Sequence, residues 1–522
     1  MAAGGVLTVS FAAAVAWSLL RAVVVAAIAV PVSIWLETAV RRESGTKRRW
    51  LLGLLLAPLF APDLLVGYAY ARFDLSLLHR PAWNEVLYLC LVTLKFVPTG
   101  LVLRLIAPPP LDSPEARHCR TLLSAASDSR AARPGPRCRG EKLLAVAVAL
   151  LAGILTFQEF EIASEMSVVA WAVHLFDSQA TGLNVTTLLQ RSAVPGMLQF
   201  VAASLLVWIL ARWSWPERSR WIEHPAGTRL TQTSEVAWSL SAIGVALLWG
   251  LPVSIVGASG LSAVTSIADN PSLVRSFAPE LTVAVILAVA AGVGAAVISQ
   301  WLTRRLRVGS LESNDRASSL PKGDSALTAG PIRKNRLALL LTGLFLGVGT
   351  LGSLVLSALA LAAIQLPGVV AIRDTVLPLV ATLILLLIPR GLFLFLLVSP
   401  VLVRESDFVA GLLTGSHGID ARSQRGVSLL WATGPRRTVL LTSLLCWWAF
   451  LNLTATAMLC PASISLPGTS GAIVPLPVRL YNLMHYGQNG PLSLMTLLSV
   501  LGPLVLFVLV ERTLALRWRR RF

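Results

Sequence analysis

Residues 281–302 read LTVAVILAVAAGVGAAVISQWL, and Thr303-Arg304-Arg305 follow directly. None of these 22 positions carries a charge. An α-helix crosses the hydrocarbon core of a bilayer in about 20 residues, so a run of this length, closed by arginines, predicts a membrane span with a cytoplasmic end. A helix suits this environment because it satisfies its own backbone hydrogen bonds where no water is present. Barrel strands would instead leave short alternating segments, and the sequence has none.

The same reading extends in both directions. The 522-residue chain is 55% hydrophobic and 13% charged, against roughly 25% charged in soluble proteins, and its mean hydropathy is +0.72. Eleven apolar segments emerge, at 17–38, 50–70, 84–106, 142–160, 194–212, 235–257, 278–302, 336–364, 374–400, 438–459 and 492–511. The fold class expected is all-α integral membrane, with about eleven transmembrane helices. The eighth and ninth segments are long enough to tilt or break.

A net charge of +18 would fit nucleic acid if it were clustered, but here it is divided among short loops. Of the 44 Lys and Arg, 35 lie in 41–49, 104–142, 212–233, 303–336, 401–437 and the tail from Arg512. The opposing loops hold Arg72, Arg80, Arg191, Arg275, Arg373 and Arg479. The positive-inside rule then predicts an external N-terminus and a cytoplasmic C-terminus. The N-terminal apolar stretch lacks a basic leader, so it reads as a retained span. Loop 309–332 is polar and without aromatics, and is expected to be unstructured.

Three short matches recur in the same order. Trp35-Leu36 before Arg41-Arg42 is echoed by Trp301-Leu302 before Arg304-Arg305. Thr156–Met166 (TFQEFEIASEM) is echoed by Ala449–Leu459 (AFLNLTATAML), and Val173–Asp177 by Val478–Asn482. They pair the first five segments with the last five and leave the sixth as an addition. This predicts two pseudo-repeated halves, 1–230 and 231–522, the second carrying a polar cytoplasmic loop at 303–335. Internal repeats of this kind characterise transporters.

With the repeat in view, the chain resembles the permease subunit of a binding-protein-dependent ABC importer, of the fused two-half kind found in the iron(III), thiamine and phosphonate group. Leu476-Pro477-Val478-Arg479-Leu480-Tyr481-Asn482 is similar to an outer-loop motif before the final helix of those permeases. Ala61-Pro62-Asp63-Leu64-Leu65-Val66-Gly67 resembles their Pro-rich second core helix, and Glu159-Phe160 with Ala163 resembles the text ending another. The resemblance implies a type I importer fold and a solute pathway for iron(III), thiamine or a related small solute, in a bacterial inner membrane. It also implies two partners, an ABC ATPase that hydrolyses ATP and a periplasmic solute-binding protein. The coupling loops of that family carry Glu-Ala-Ala and a later glycine. Here the corresponding loops, 107–141 and 401–437, keep only Ala125-Ala126 and Gly434.

Charges inside spans are functional candidates by default. Asp63 and Arg390 are pathway candidates on this ground, and Lys95 is a third intramembrane charge that can also snorkel. Glu161 and Glu165, four apart on one helix face, join Glu159 in an acidic cluster expected at the outer mouth of the fourth segment. Asn452 occupies the place matching Glu159 in the second half. No P-loop, HExxH, GxSxG or CxxC is present, so no enzymatic activity, cofactor or metal is expected. Cys119, Cys138 and His118 lack a fourth ligand and read as inert loop residues. Two alternatives share the topology: a membrane enzyme of lipid or envelope metabolism using Asp63 or the glutamates, and a permease-derived scaffold that no longer transports.

Overall fold

The computed structural model describes residues 10–43, 45–77, 81–106, 139–180, 184–212, 231–262, 271–319, 332–368, 375–413, 435–453 and 492–505, together with 372, 456, 476, 479, 480 and 509. Among them the regular structure is entirely helical. In order these are α1 (Phe11–Arg42), α2 (Gly45–Leu56), α3 (Asp63–Leu77), α4 (Pro81–Ile106), α5 (Arg139–Phe157), α6 (Glu161–Glu165), α7 (Trp171–Ala180) and α8 (Val185–Arg212). They continue with α9 (Thr231–Val245), α10 (Leu251–Ser262), α11 (Pro271–Ser319), α12 (Ile332–Gly349), α13 (Ser353–Ala363), α14 (Leu377–Leu413), α15 (Pro435–Leu451) and α16 (Leu492–Val505).

Among the described residues six helices are long and apolar enough to cross a membrane, or up to eight when each of two bent pairs is taken as one span. Each of the eleven predicted segments falls on an apolar helix or bent pair. The fourth, tenth and eleventh fall on Lys142–Phe157, Thr438–Leu451 and Leu492–Val505, which are shorter than the six. Length therefore gives six to eight spans where apolar runs predict eleven. Outward faces carry exposed apolar side chains such as Val23, Met197, Val201, Leu261 and Ile286, a covering suited to lipid.

Two predicted loops are partly helical. α11 runs through Arg304 and Arg305 to Ser319, inside the polar loop expected at 303–335, and α14 continues to Leu413, inside 401–437. Initiating a helix is its costly step, while each added residue costs little, so an apolar helix extends into polar sequence that contains no proline to stop it. α14 passes through Pro389 and Arg390 without interruption.

The second and eighth segments are broken. α2 ends in a 3-10 turn, Ala57–Phe60, and α3 sets off at 71° from it. Pro62 accounts for this, because it removes an amide donor and forces Ala61 into extended backbone at ψ 133°. α12 and α13 meet at 107° around Thr350–Gly352, where Gly352 is extended and its amide donates to Gln199 Oε1 of α8 at 2.9 Å.

Packing about these breaks follows a recurring pattern. α1 lies against α4 and α5, and α11 lies against α14 and α15. α8 packs on both α12 and α13. α16 reaches back to α3, where Tyr68 Oη and Ser493 Oγ are 3.1 Å apart. The largest buried cluster accordingly joins Val15, Leu65 and Tyr68 to Leu445, Trp447 and Met495.

Candidate functional site

Both breaks open on one cavity of about 150 Å³, lined between α2 and α6 by Phe60, Asp63, Lys95, Thr99, Gln158, Glu159 and Glu161 among others, and from α12 to the residue after α15 by residues including Thr350, Ser353, Arg390, Trp448 and Asn452. Five of the six predicted pathway residues, Asp63, Glu159, Glu161, Arg390 and Asn452, thus meet at one place. Glu165 does not line it and packs against Gly67, where an added Cβ would lie 2.8 Å from Glu165 Cβ.

Asp63 is the first residue of α3 and forms an ion pair with Lys95 of α4. A carboxylate in a first helical turn is favoured by the helix dipole. Lys95 is 4% exposed and also donates to the Ala61 carbonyl at the break, at 3.3 Å. Lys95 is therefore held inside rather than snorkelling outward, and the ion pair offsets the desolvation of a buried ammonium.

Glu159 has a different occupation from the one expected. It is buried, and its carboxylate accepts from Tyr88 Oη at 2.8 Å and from the amides of Ile162 and Ala163 at 2.7 and 3.1 Å. It caps α6, supplying acceptors for amides that have none within the helix. Glu161 is buried as well, at 6% exposure. The acidic cluster expected at an outer mouth is thus split between a helix cap, a cavity wall and a packing contact, because the chain turns at Gln158–Phe160 instead of ending its span there.

Arg390 lies on α14 with its guanidinium carbon 5.6 Å from the centre of the Trp448 ring. Its Nη1 is buried and without a hydrogen-bond partner. Among the described residues it forms no ion pair. Asn452 donates Nδ2–H to the Trp448 carbonyl at 2.8 Å, and Trp448 in turn stacks on Phe60 with ring centres 4.9 Å apart. Arg479 pairs with Glu280, in the third turn of α11, away from the cavity lining. Pro477, Val478, Tyr481, Asn482, Ala125, Ala126, Gly434, His118, Cys119 and Cys138 lie outside the described residues.

One recurrence went unread in the sequence. Val97-Pro98-Thr99-Gly100-Leu101 in α4 matches Ile388-Pro389-Arg390-Gly391-Leu392 in α14. Its glycines serve the same purpose. A Cβ on Gly100 would lie 3.2 Å from Ser33 Cβ of α1, and one on Gly391 would lie 3.0 Å from Ser299 Cβ of α11. Small residues let apolar helices approach this closely, and these two crossings carry Thr99 and Arg390 to the cavity wall. Ser353, Thr350 and Gln158 were also missed; being uncharged, they give no signal in an apolar run.

Among the described residues no three His, Cys, Asp or Glu side chains group as metal ligands. Comparisons with protein families, with characterised proteins and with solved structures find no match for this chain.

Proposed function

We propose that the chain is the membrane-embedded permease subunit of a binding-protein-dependent importer, in which two pseudo-equivalent halves, 1–230 and 231–522, enclose a solute pathway. The observation that carries this reading is the cavity bounded by two broken helices, the α2–α3 pair and the α12–α13 pair. Interrupted helices in corresponding positions of a repeat are where transporters build their sites, because freed backbone groups and helix ends become available to a ligand. The Pro-x-Gly recurrence and the matching neighbours of α1 and α11 support the pseudo-equivalence. In this reading eleven spans place the N-terminus outside a bacterial inner membrane and the C-terminus in the cytoplasm. A periplasmic binding protein delivers solute, and a separate ABC ATPase drives alternation through loops 107–141 and 401–437.

The experiment is copurification. The full chain should recover an ABC ATPase encoded beside its gene, and deletion of 414–434 should reduce both recovery and stimulated ATP hydrolysis. An ATPase that binds and turns over equally well without that loop, or a chain that recovers none, overturns energisation by ATP and leaves the non-transporting scaffold.

A further inference from the structure

We infer that the cavity takes a small solute bearing an oxyanion, a carboxylate or a phosphoryl group, and holds that group at Arg390. The inference rests on the permease reading for the solute's route, but the binding itself is a property of this chain alone.

Arg390 lacks the ion pair that Lys95 has. α4 presents Lys95 to the cavity, and the break beneath it supplies Asp63 as partner. Aligning the two Pro-x-Gly stretches sets Arg390 at the place of Thr99 and Leu386 at the place of Lys95. All four line the cavity, so the cation has moved one helical turn along the same face. Aligning the breaks, Ala61-Pro62-Asp63 with Leu351-Gly352-Ser353, sets Ser353 where Asp63 stands. The cation is kept and its carboxylate has become a hydroxyl.

The geometry around Arg390 agrees. Nη1 is buried with its hydrogen bonds unmade; Glu161, on the same cavity wall, is the described carboxylate whose charge acts on the guanidinium, without forming an ion pair with it. A buried charge left this way is costly unless something pairs with it. Trp448 lies against the guanidinium carbon, and a guanidinium's donors meet carboxylate or phosphate two at a time. Ser353 begins α13, whose first-turn amides present the positive end of the helix. At α3 the same end already carries the carboxylate of Asp63. An incoming cation is less well served. Asp63 is paired, Glu159 is bound to one hydroxyl and two amides, and Glu161 is shared between the charges of Lys95 and Arg390.

The test uses the purified full chain in phosphatidylcholine nanodiscs, with no ATPase or binding protein. Inorganic phosphate, methylphosphonate and succinate are titrated, with choline as the cationic control, and binding is read by calorimetry and by thermal shift. At least one oxyanion should bind saturably, and choline should not. Arg390→Gln should weaken that binding by about 10- to 100-fold, the range for a lost charged hydrogen bond. Ser353→Asp should abolish it while raising the melting temperature, because it restores the absent partner. This second variant decides the matter if Arg390→Gln does not fold. Binding of choline alone, or oxyanion binding unchanged in Ser353→Asp, overturns the inference. A thermal shift that appears only when phosphatidylglycerol is added assigns the site to a lipid headgroup and overturns the solute. Failure to recover an ATPase would sink the permease reading and leave this result untouched.

Discussion

Asp63 and Lys95 face each other across the point where the second apolar segment breaks, so the residue that opens α3 also neutralises the buried ammonium of α4. Removing either partner alone leaves the other charge unmatched. Asp63→Asn or Lys95→Met should each lower stability by about 3 kcal/mol, the low end for a buried pair, since the Asp63 side chain retains 29% exposure. The double variant should recover most of that loss. Thermal unfolding in detergent of the four proteins measures it, and additive losses would show that the two do not act as a pair.

Glu159 separates capping from conduction. If its carboxylate serves α6, then Glu159→Ala should cost about 1–2 kcal/mol, the range for a lost helix cap. Glu159→Gln keeps an acceptor for the amides and should cost less. Equal destabilisation by the two variants in a melting experiment would argue against the cap.

Gln199 holds the second break from the neighbouring helix. Gln199→Leu leaves the Gly352 amide without its acceptor, and a buried donor left unmet costs about 1–3 kcal/mol. Protease cleavage between α12 and α13 should quicken in this variant while cleavage near α3 stays unchanged. A uniform rise at both places would mean that the contact is not local to the break.

Gly391 sets how closely α14 approaches α11. Gly391→Ala should cost about 1–3 kcal/mol through overpacking, because the new methyl group meets Ser299. Ser299→Ala in the same chain removes the hydroxyl and should restore part of the loss. Unfolding of the single and double variants checks this; at Gly100 an added methyl meets Val148 before Ser33, so there Val148→Ala should be the rescuing change.

The helices were legible because length and charge-free composition suffice to mark an apolar helix. Their interruptions were less so. Pro62 sits in a stretch whose hydropathy stays high on both sides, and Thr350–Gly352 has no proline at all. The amide at that bend is met by Gln199, 153 positions away. Asp63 and Arg390 stood out as charges in apolar surroundings, and both do line the cavity. What the sequence hid was pairing, since the same kind of isolated charge turned out to be matched in Asp63 and unmatched in Arg390. The capping by Glu159 could not be read because its amide partners come from a turn that hydropathy does not reveal. The Pro-x-Gly recurrence was visible throughout, but its meaning lies in the serines of α1 and α11 that it touches.

The contact of Tyr68 with Ser493 spans 425 positions of chain, and this orders events during synthesis. When a ribosome has just finished α3, the helix that will lie beside it has yet to be translated. α8 likewise waits for α12 and α13. Early helices must therefore sit in the bilayer with lipid standing in for absent neighbours. A stop codon just before Leu492 would leave the α3 surface permanently uncovered, so the last helix acts as the latch on a structure begun several hundred residues earlier.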